Sequence, residues 1–272
     1  MPGLQPIFVA MLSLDLTGKT ALVAGSTQGI GLASAQSLAD LGANCVLISR
    51  TEESLQKAVA SLNTSKGQQH SYLVADFSRP EQVQQAAAGY IAKNPIHILV
   101  NNTGGPPAGP VVEAKPEAFL AAFQQHLICN HLLATTVIPS MKEAAYGRII
   151  NIISTSVKIP LKNLGVSNTI RGAVASWAKT MANELAQFGI TVNNVLPGAT
   201  ATARLETIIN NKVAKAGITE EEAEQEMLRE IPARRFGKPE EIAAMVAFLA
   251  TPAAAYINGT STPVDGGRTG SI

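Results

Sequence analysis

The chain has 272 residues, of which 46% are hydrophobic and 15% charged, and its formal net charge is +1. This length fits one α/β domain or two small ones and allows a large packed core, so a disordered chain is excluded. Because the charge is near neutral and forms no basic block, we expect no nucleic-acid partner.

Short apolar segments alternate with longer amphipathic ones along the chain. The predicted strands are 19–24, 44–49, 71–75, 96–100, 148–153, 190–195 and 260–264, and the predicted helices are 29–41, 51–62, 81–93, 116–145, 167–188 and 240–250. Continuous apolar strands are typical of parallel sheets that are buried on both faces. The alternation predicts an α/β fold: a Rossmann-type doubly wound parallel sheet of about seven strands with helices on both faces. The last strand contains Pro263 and is predicted at the sheet edge.

Residues 14–272 are predicted to form a single domain, because the sequence has no repeat, low-complexity tract or linker. Residues 1–13 are interpreted as an N-terminal arm, with an overlong start before Met11 or a weak targeting segment as alternatives. Residues 200–236 follow the carboxyl end of a strand, where ligands bind in open α/β sheets, and are predicted to be a substrate lid. Thr219 and the glutamates behind it indicate a capped helix within this lid.

Cys45 and Cys129 are the only cysteines, and neither lies in a C-x-x-C or histidine-rich setting. They are predicted to be buried free thiols in a reducing cytoplasm, with a disulfide or a reactive thiol as the alternative. No metal site is expected. No apolar run reaches the roughly 18 residues of a membrane span, so no membrane partner is expected either.

The loop after the first predicted strand is rich in glycine. Its residues are Gly25, Ser26, Thr27, Gln28, Gly29, Ile30 and Gly31. Glycines at these points let the backbone turn tightly and approach a pyrophosphate at the N-terminus of the next helix, whose free N–H groups face the anion. Because a strand precedes the loop and a helix follows it, the sequence predicts dinucleotide binding; a plain tight turn is the alternative.

Polar residues at the ends of the next two strands indicate which dinucleotide binds. Arg50, flanked by Ser49 and Thr51, occupies a position where an acid would bind the ribose hydroxyls of NAD, whereas a guanidinium suits the 2′-phosphate of NADP. Asp76, followed by Phe77, is placed to accept from the adenine amino group. We therefore predict NADP(H) in preference to NAD(H). A solvated arginine and a helix cap by Asp76 are the alternative interpretations.

Four motifs occur in an order typical of one enzyme family. They are Gly25-x-x-x-Gly29-Ile30-Gly31, Asn101-Asn102-Thr103-Gly104, Ile190-Thr-Val-Asn-Asn-Val-Leu-Pro197-Gly198 and Val264-Asp-Gly-Gly267. From about Leu14 to Gly267 the chain resembles the short-chain dehydrogenase/reductase family, and in particular its 3-oxoacyl-[acyl-carrier-protein] reductase-like branch. The resemblance implies a nicotinamide-dependent oxidoreductase that acts on a small-molecule substrate.

The resemblance also implies further contacts. It places Asn102, Thr103 and Gly104 on the adenine side of the cofactor, Pro197 and Gly198 at the nicotinamide, and Thr200 and Thr202 at its carboxamide or the pyrophosphate. It further implies a homodimer or homotetramer built on the helices at about 118–145 and 167–188. Apolar residues of the second helix, Val174, Trp177 and Met181, are candidates for that interface, with ordinary core as the alternative.

The catalytic set implied by the resemblance is Asn, Ser, Tyr and Lys, and the chain departs from it at three of the four positions. Ser154 matches the serine, Ser167 stands at the tyrosine position, and Arg171 stands at the lysine position. His126 stands at the asparagine position, and Asn130, one helical turn further on, is the alternative there.

These departures leave the source of the proton open. Reduction of a ketone needs a hydride on carbon and a proton on oxygen, and Ser167 is too short and too weakly acidic to replace a phenol. His126, with an expected pKa near the working pH, is the candidate acid, and a satisfied helix-face histidine is the alternative. Arg171 is expected to hold the nicotinamide ribose and polarise an oxyanion. Lys158 and Lys162 are interpreted as solvated loop residues.

The sequence therefore predicts an NADP-dependent oxidoreductase that reduces a carbonyl, a 3-oxoacyl group or another ketone, with an atypical acid–base set. Two alternatives remain open at this point. One is a cofactor-binding protein with little or no redox activity, a sensor or scaffold subunit; the other is a lyase or isomerase on the same fold.

Overall fold

A parallel sheet forms the centre of the computed structural model, which describes residues 12–271. Its strands are β1 (Thr20–Ala24), β2 (Asn44–Ser49), β3 (Ser71–Val74), β4 (Ile98–Asn101), β5 (Gly147–Ile152), β6 (Ile190–Pro197) and β7 (Ser261–Val264). The spatial order is β3-β2-β1-β4-β5-β6-β7, and every neighbouring pair is parallel. This confirms the predicted sheet and places β7, with Pro263, at its edge. Residues 1–11 of the predicted arm lie outside the described residues.

Helices cover both faces of the sheet. They are α1 (Gly29–Asp40), α2 (Glu52–Ala60), α3 (Pro80–Ile91), α4 (Pro116–Phe123), α5 (Cys129–Glu143), α6 (Gly165–Leu185), α7 (Ala203–Ala216), α8 (Glu220–Arg229) and α9 (Pro239–Ala250). Successive strand residues point to opposite faces, so Leu22 packs with α3, α5 and α6 while Val23 packs with α1 and α9. Both are fully buried, which explains why the strands are apolar at every position.

The predicted helical stretch over 116–145 is confirmed as continuous over 116–143, but its centre is not α-helical. A π-helical turn, Gln124–Ile128, separates α4 from α5. Such a turn adds one residue to the helical repeat, which the spacing of apolar residues does not reveal, and π turns are frequent at functional sites. His126 lies in this turn and is 1% exposed.

Residues 200–236 fold as α7 and α8 with a small apolar cluster of their own, formed by Leu205, Ile209 and Ala223. The predicted cap at Thr219 is confirmed: its hydroxyl accepts from the backbone N–H of Glu222, and the Glu222 carboxylate accepts from the backbone N–H of Thr219 at 2.9 Å.

A chain of side-chain hydrogen bonds, formed by three buried asparagines and a serine, links four neighbouring strands. The Asn101 amide donates to the Asn151 side-chain oxygen at 2.9 Å, Asn151 donates to Asn194 at 3.0 Å, and Asn194 donates to the Ser261 hydroxyl at 3.0 Å. These residues are register partners on adjacent strands. The polar chain fixes β4, β5, β6 and β7 relative to one another directly below the edge where the site forms.

Three further expectations concern the cysteines, the apolar residues of α6 and membrane-spanning helices. Cys45 and Cys129 are free and buried, as predicted, and burial raises the pKa of each thiol to about 12. Val174 and Met181 are buried in the core of the chain itself, so the core interpretation is the correct one for both. Within residues 12–271, no helix is long and apolar enough to cross a membrane.

Candidate active site

The glycine loop closes tightly on itself at the end of β1. Gly25 and Gly29 both have a positive φ, +56° and +54°. A Cβ atom on Gly31 would lie 2.1 Å from the carbonyl oxygen of Gly25, so only glycine fits there. The side-chain amide of Asn102 donates to that same carbonyl at 3.0 Å, which holds the loop after β4 against the loop after β1.

The first turn of α1 is open to an anion. Its N-cap residue, Gln28, makes no side-chain cap hydrogen bond, and the turn contains no acidic residue. The hydroxyl of Ser26 is fully buried and has no partner among the described residues. A Cβ on Gly29 would lie 3.3 Å from the Thr202 methyl, so the start of α7 lies beside the start of α1. The free backbone N–H groups, the unpaired Ser26 hydroxyl and the glycine backbone, which carries no side chains, together fit a pyrophosphate.

The residues after β2 and β3 lie close enough to interact. Arg50 is exposed, and its charge contributes to lowering the pKa of Asp76; the larger cause is the hydrogen bond that Asp76 accepts from the Ser78 N–H at 2.9 Å. Asp76 thus closes a local turn with Ser78, but the N-cap residue of α3 is Arg79 and it has no side-chain cap hydrogen bond, so the interpretation of Asp76 as a helix cap is wrong. Thr51 stands at the N-cap of α2, but its side chain makes no cap hydrogen bond.

The other candidate cofactor residues lie along the same edge. Thr27 and Ile30 are half-buried in the glycine loop, Ser49 ends β2 half-buried, and Phe77 is half-buried in the segment after β3. Thr103 and Gly104 follow β4, Pro197 ends β6, and Gly198 follows it. The hydroxyl of Thr200 donates to the Gly198 carbonyl at 3.1 Å, and that of Thr202 donates to the Thr200 carbonyl at 3.2 Å. These two hydroxyls therefore shape the turn from β6 into α7.

Ser154 and Arg171 face the end of β5 from two elements. The Ser154 hydroxyl accepts from the backbone N–H of Ser156 at 3.1 Å, which leaves its own proton free to donate. Arg171 is 8% exposed and donates to the carbonyl of Ile152 at 3.2 Å. Ser167 is half-buried one helical turn earlier on α6. Because α6 packs against the turn that follows Ser154, the structure brings these three candidates together.

His126 joins this group but not with the predicted acidity. Its Nδ1 atom is hydrogen-bonded to the Thr103 hydroxyl, and its Nε2 atom is buried without a partner among the described residues. Burial, helped by the positive charge of Arg171, lowers the pKa of His126 from 6.5 to about 3. The expectation of a pKa near the working pH is therefore wrong, and His126 is neutral at physiological pH. The alternative Asn130 is also buried, with an unpartnered side-chain oxygen.

Arg204 is a site residue that the sequence analysis missed. It lies in the first turn of α7 and donates to the carbonyl of Pro106, in the loop after β4, at 2.7 Å. Burial lowers the pKa of Arg171 to about 10, and the positive charge of Arg204 is the second cause of this shift. A cation in the first turn of a helix opposes the helix dipole. This unfavourable position of a positive charge is visible in the sequence, and it indicates that Arg204 has a role other than stabilising α7.

A separate cavity of about 230 Å³ lies beside the Ser154 turn. It is lined by Thr155, Ile159, Leu161, Glu230, Arg268 and Thr269. None of the predicted site residues lines it, and Arg268 is already ion-paired with Glu230. Thr155 is the one lining residue that is next to Ser154 in the chain.

The geometry and the motifs agree with the comparisons. The chain matches the family described as enoyl-(acyl carrier protein) reductase over residues 24–269. It belongs to the short-chain dehydrogenase/reductase family of oxidoreductases.

Individual members of the family resemble the chain over nearly its whole length. The 3-oxoacyl-[acyl-carrier-protein] reductase FabG of Vibrio cholerae is 34% identical, over 93% of this chain and 98% of the relative. The NADPH-dependent reductase BacG of Bacillus subtilis is 31% identical, over 94% of this chain and 100% of the relative. The crystal structure of L-sorbose reductase from Gluconobacter frateurii, complexed with NADPH and L-sorbose, superposes with a TM-score of 0.89 at 29% identity, over 96% of this chain and 100% of that one.

Proposed function

We propose that the chain is an NADPH-dependent carbonyl reductase with an atypical acid–base set. The observation that carries this proposal is the stack of Gly31, Gly25 and Asn102, which leaves room for no side chain where a pyrophosphate would bind. Ser154 supplies a free hydroxyl proton at the same edge of the sheet. A dinucleotide cradle and an oxygen-directed donor are the two parts that hydride transfer to a carbonyl needs.

NADPH is proposed over NADH for two reasons. Arg50 lies exposed after β2, where a guanidinium suits a 2′-phosphate. BacG is named as NADPH-dependent, and the L-sorbose reductase structure contains NADPH. When bound, the nicotinamide would supply the hydride, and Pro197, Gly198 and Arg171 would hold that end of the cofactor.

The remaining chemistry belongs to the side chains of the site. Ser154 donates its hydroxyl proton as a hydrogen bond to the carbonyl oxygen and so positions it. Arg171 keeps its charge at neutral pH and stabilises the negative charge that develops on that oxygen. Because His126 is neutral at physiological pH and Ser167 is a weak acid, the oxygen takes its proton from water.

A cofactor-binding protein without turnover is the second candidate. This second candidate is favoured because neither His126 nor Ser167 can donate the proton that the tyrosine of the family donates. The deciding experiment measures NADPH affinity by fluorescence and NADPH consumption with a panel of ketones and quinones. Binding with turnover supports the reductase, and binding without turnover of any ketone, quinone or alcohol supports the second candidate. If NADPH does not bind, both proposals fail.

The assembly and the lid are also part of the proposal. We propose a homodimer or homotetramer in which α4 contributes to the interface, because Leu120 and Phe123 expose apolar surface on that helix. The lid formed by α7 and α8 is proposed to close over the substrate. Light scattering with the parent and with Leu120→Glu tests the first point, because a buried glutamate would dissociate the interface.

A further inference from the structure

Two arginines of the candidate site have no acidic partner among the described residues. Arg171 is 8% exposed and makes one hydrogen bond, to the carbonyl of Ile152. Arg204 is half-buried and makes one, to the carbonyl of Pro106. Neither forms an ion pair with any residue in the described range 12–271. A buried charge is costly unless it is paired, so two uncompensated guanidinium groups at one site indicate that an anion binds there.

The anchoring contacts fix Arg171 two strands away from the glycine loop, whereas Arg204 begins α7 beside that loop and reaches the loop after β4. Arg171 is fixed at the end of β5, and Arg204 is fixed to the loop that follows β4. The glycine loop follows β1, and β4 lies between β1 and β5 in the sheet. The charge of Arg204 is near enough to lower the pKa of Arg171, which is fixed beside the end of β5, where Ser154 follows.

A third polar group lies at the same place. The π turn that carries His126 packs against α6, the helix that carries Arg171. The Nε2 atom of His126 is buried and has no partner among the described residues, although Nδ1 is bound to Thr103. When the Thr103 hydroxyl donates to Nδ1, Nε2 carries the proton and becomes a neutral donor. Buried polar atoms are nearly always paired, so a missing ligand accounts for this atom as well.

We propose that the substrate is a carbonyl compound with an oxyanion group, in the simplest case an oxo acid, and that Arg204 binds that group while Arg171 stays at the carbonyl oxygen. This inference rests on the proposed reductase function and names its substrate class. A guanidinium presents parallel N–H donors that match the two oxygens of a carboxylate or of a phosphate. With the anionic group at Arg204, the carbonyl of the same molecule is held near Ser154.

The test compares anionic and neutral ketones of the same shape. Protein loaded with NADP⁺ is titrated with pyruvate, acetoacetate and levulinate, each against its amide, and with dihydroxyacetone phosphate against dihydroxyacetone. Because the oxidised cofactor cannot reduce them, binding is read from the shift in thermal midpoint. We expect at least one anion to bind about 10- to 100-fold more tightly than its neutral partner, the range of a charge-assisted hydrogen bond. The spacing between carbonyl and carboxylate in the best ligand then defines the oxo acid.

Variants assign the preference to Arg204. Arg204→Gln should abolish it, Arg204→Lys should restore part of it, and Arg229→Gln, an exposed arginine on α8, should leave it unchanged. A fall in NADP⁺ affinity with an unchanged anion preference would show that Arg204 serves the cofactor, and this would overturn the inference. Equal binding of every pair, or no binding by any of them, would overturn it too.

The same assays separate this inference from the reductase proposal. If neutral ketones are reduced with NADPH and no anion is preferred, the reductase stands and the inference fails. If an anion binds through Arg204 but no compound is reduced, the anion site stands and the reductase fails. A preference for dihydroxyacetone phosphate over all three oxo acids would support the anion site and identify its oxyanion as a phosphate.

Discussion

The side-chain amide of Asn102 and the carbonyl oxygen of Gly25 are joined by a hydrogen bond of 3.0 Å that crosses from the loop after β4 to the loop after β1. A Cβ on Gly31 would lie 2.6 Å from that amide and 2.1 Å from that oxygen. Two loops far apart in sequence thus meet at Gly31 with no space for a methyl group, and the proposed cofactor cradle depends on both.

Gly31→Ala should therefore abolish NADPH binding and destabilise the fold by about 1–3 kcal/mol, the usual cost of an added group in a packed site. Gly172→Ala is the matched control, because its Cβ meets nothing within 4 Å on an exposed turn of α6. That control should be stabilised by about 0.5–1 kcal/mol, since glycine is a poor helix residue. Fluorescence titration with NADPH and urea denaturation measure both effects. Normal NADPH binding by Gly31→Ala would remove this loop from the cofactor site.

Arg50→Ala should lower NADPH affinity while leaving NADH affinity nearly unchanged. Arg50 is exposed and makes no ion pair among the described residues, so its guanidinium is free for a 2′-phosphate. A charge-assisted pair with a phosphate contributes about 1.5–3 kcal/mol, or roughly a 10- to 150-fold difference in affinity. Arg79→Ala, a nearby exposed arginine, is the control. Equal affinity of the parent for both dinucleotides would contradict the cofactor assignment.

The fold was predictable because periodicity and glycine placement are local signals. Apolar runs such as 44–49 gave the strands, and the positions of Gly25, Gly29 and Gly31 gave the first crossover. The π turn around His126 was not predictable, because a single inserted residue changes the helical phase without changing composition.

The electrostatics of the site were beyond the reach of the sequence. The pKa of His126 depends on how deeply the π turn is buried and on its distance from Arg171, which are tertiary properties. Arg204 was missed for a related reason. Its partner, the carbonyl of Pro106, is 98 residues away in the chain, and no motif connects the two.

His126 should make the folded protein less stable at low pH. Its folded-state pKa is lowered to about 3 from 6.5, so the unfolded chain binds the extra proton below pH 6.5 and the folded chain does not. The stability is complete above pH 6.5 and is lost as the pH falls toward 3; near pH 5 the loss amounts to about 2 kcal/mol. His126→Gln should remove this loss, as seen by urea denaturation at a series of pH values.

Comparing the variant with the parent isolates the contribution of His126. The pKa of His97 is also lowered by burial, but His97 is present in both proteins and contributes equally to both curves. Parallel stability curves for parent and His126→Gln would show that His126 is protonated in the folded state. The same variant should keep the parent pH profile of turnover between about pH 6 and 8, since a group with this pKa does not titrate there.

Ser154→Ala should reduce turnover much more than Ser167→Ala. Ser154 has a free proton to donate to the carbonyl oxygen, and loss of such a donor costs about 3–4 kcal/mol where charge develops. Ser167 is too short to reach that oxygen, so its removal should change turnover less than about threefold. Steady-state turnover with one reducible ketone measures both. If Ser167→Ala is inactive, a water held by Ser167 becomes the proton source.

The double variant Ser167→Tyr with Arg171→Lys should gain activity toward neutral ketones. The two positions lie one turn apart on α6, half-buried and buried respectively, so a tyrosine and a lysine placed there would face the end of β5 together. A positioned acid contributes roughly 10²- to 10⁴-fold, and we expect the lower end of that range because the other side chains of the site are still those of the parent. Ser167→Phe with Arg171→Lys is the matched control, with the same ring and no hydroxyl. Equal turnover by the two double variants would show that the phenol does not reach the carbonyl oxygen, and that the serine and arginine of the parent belong to a site with a different proton path.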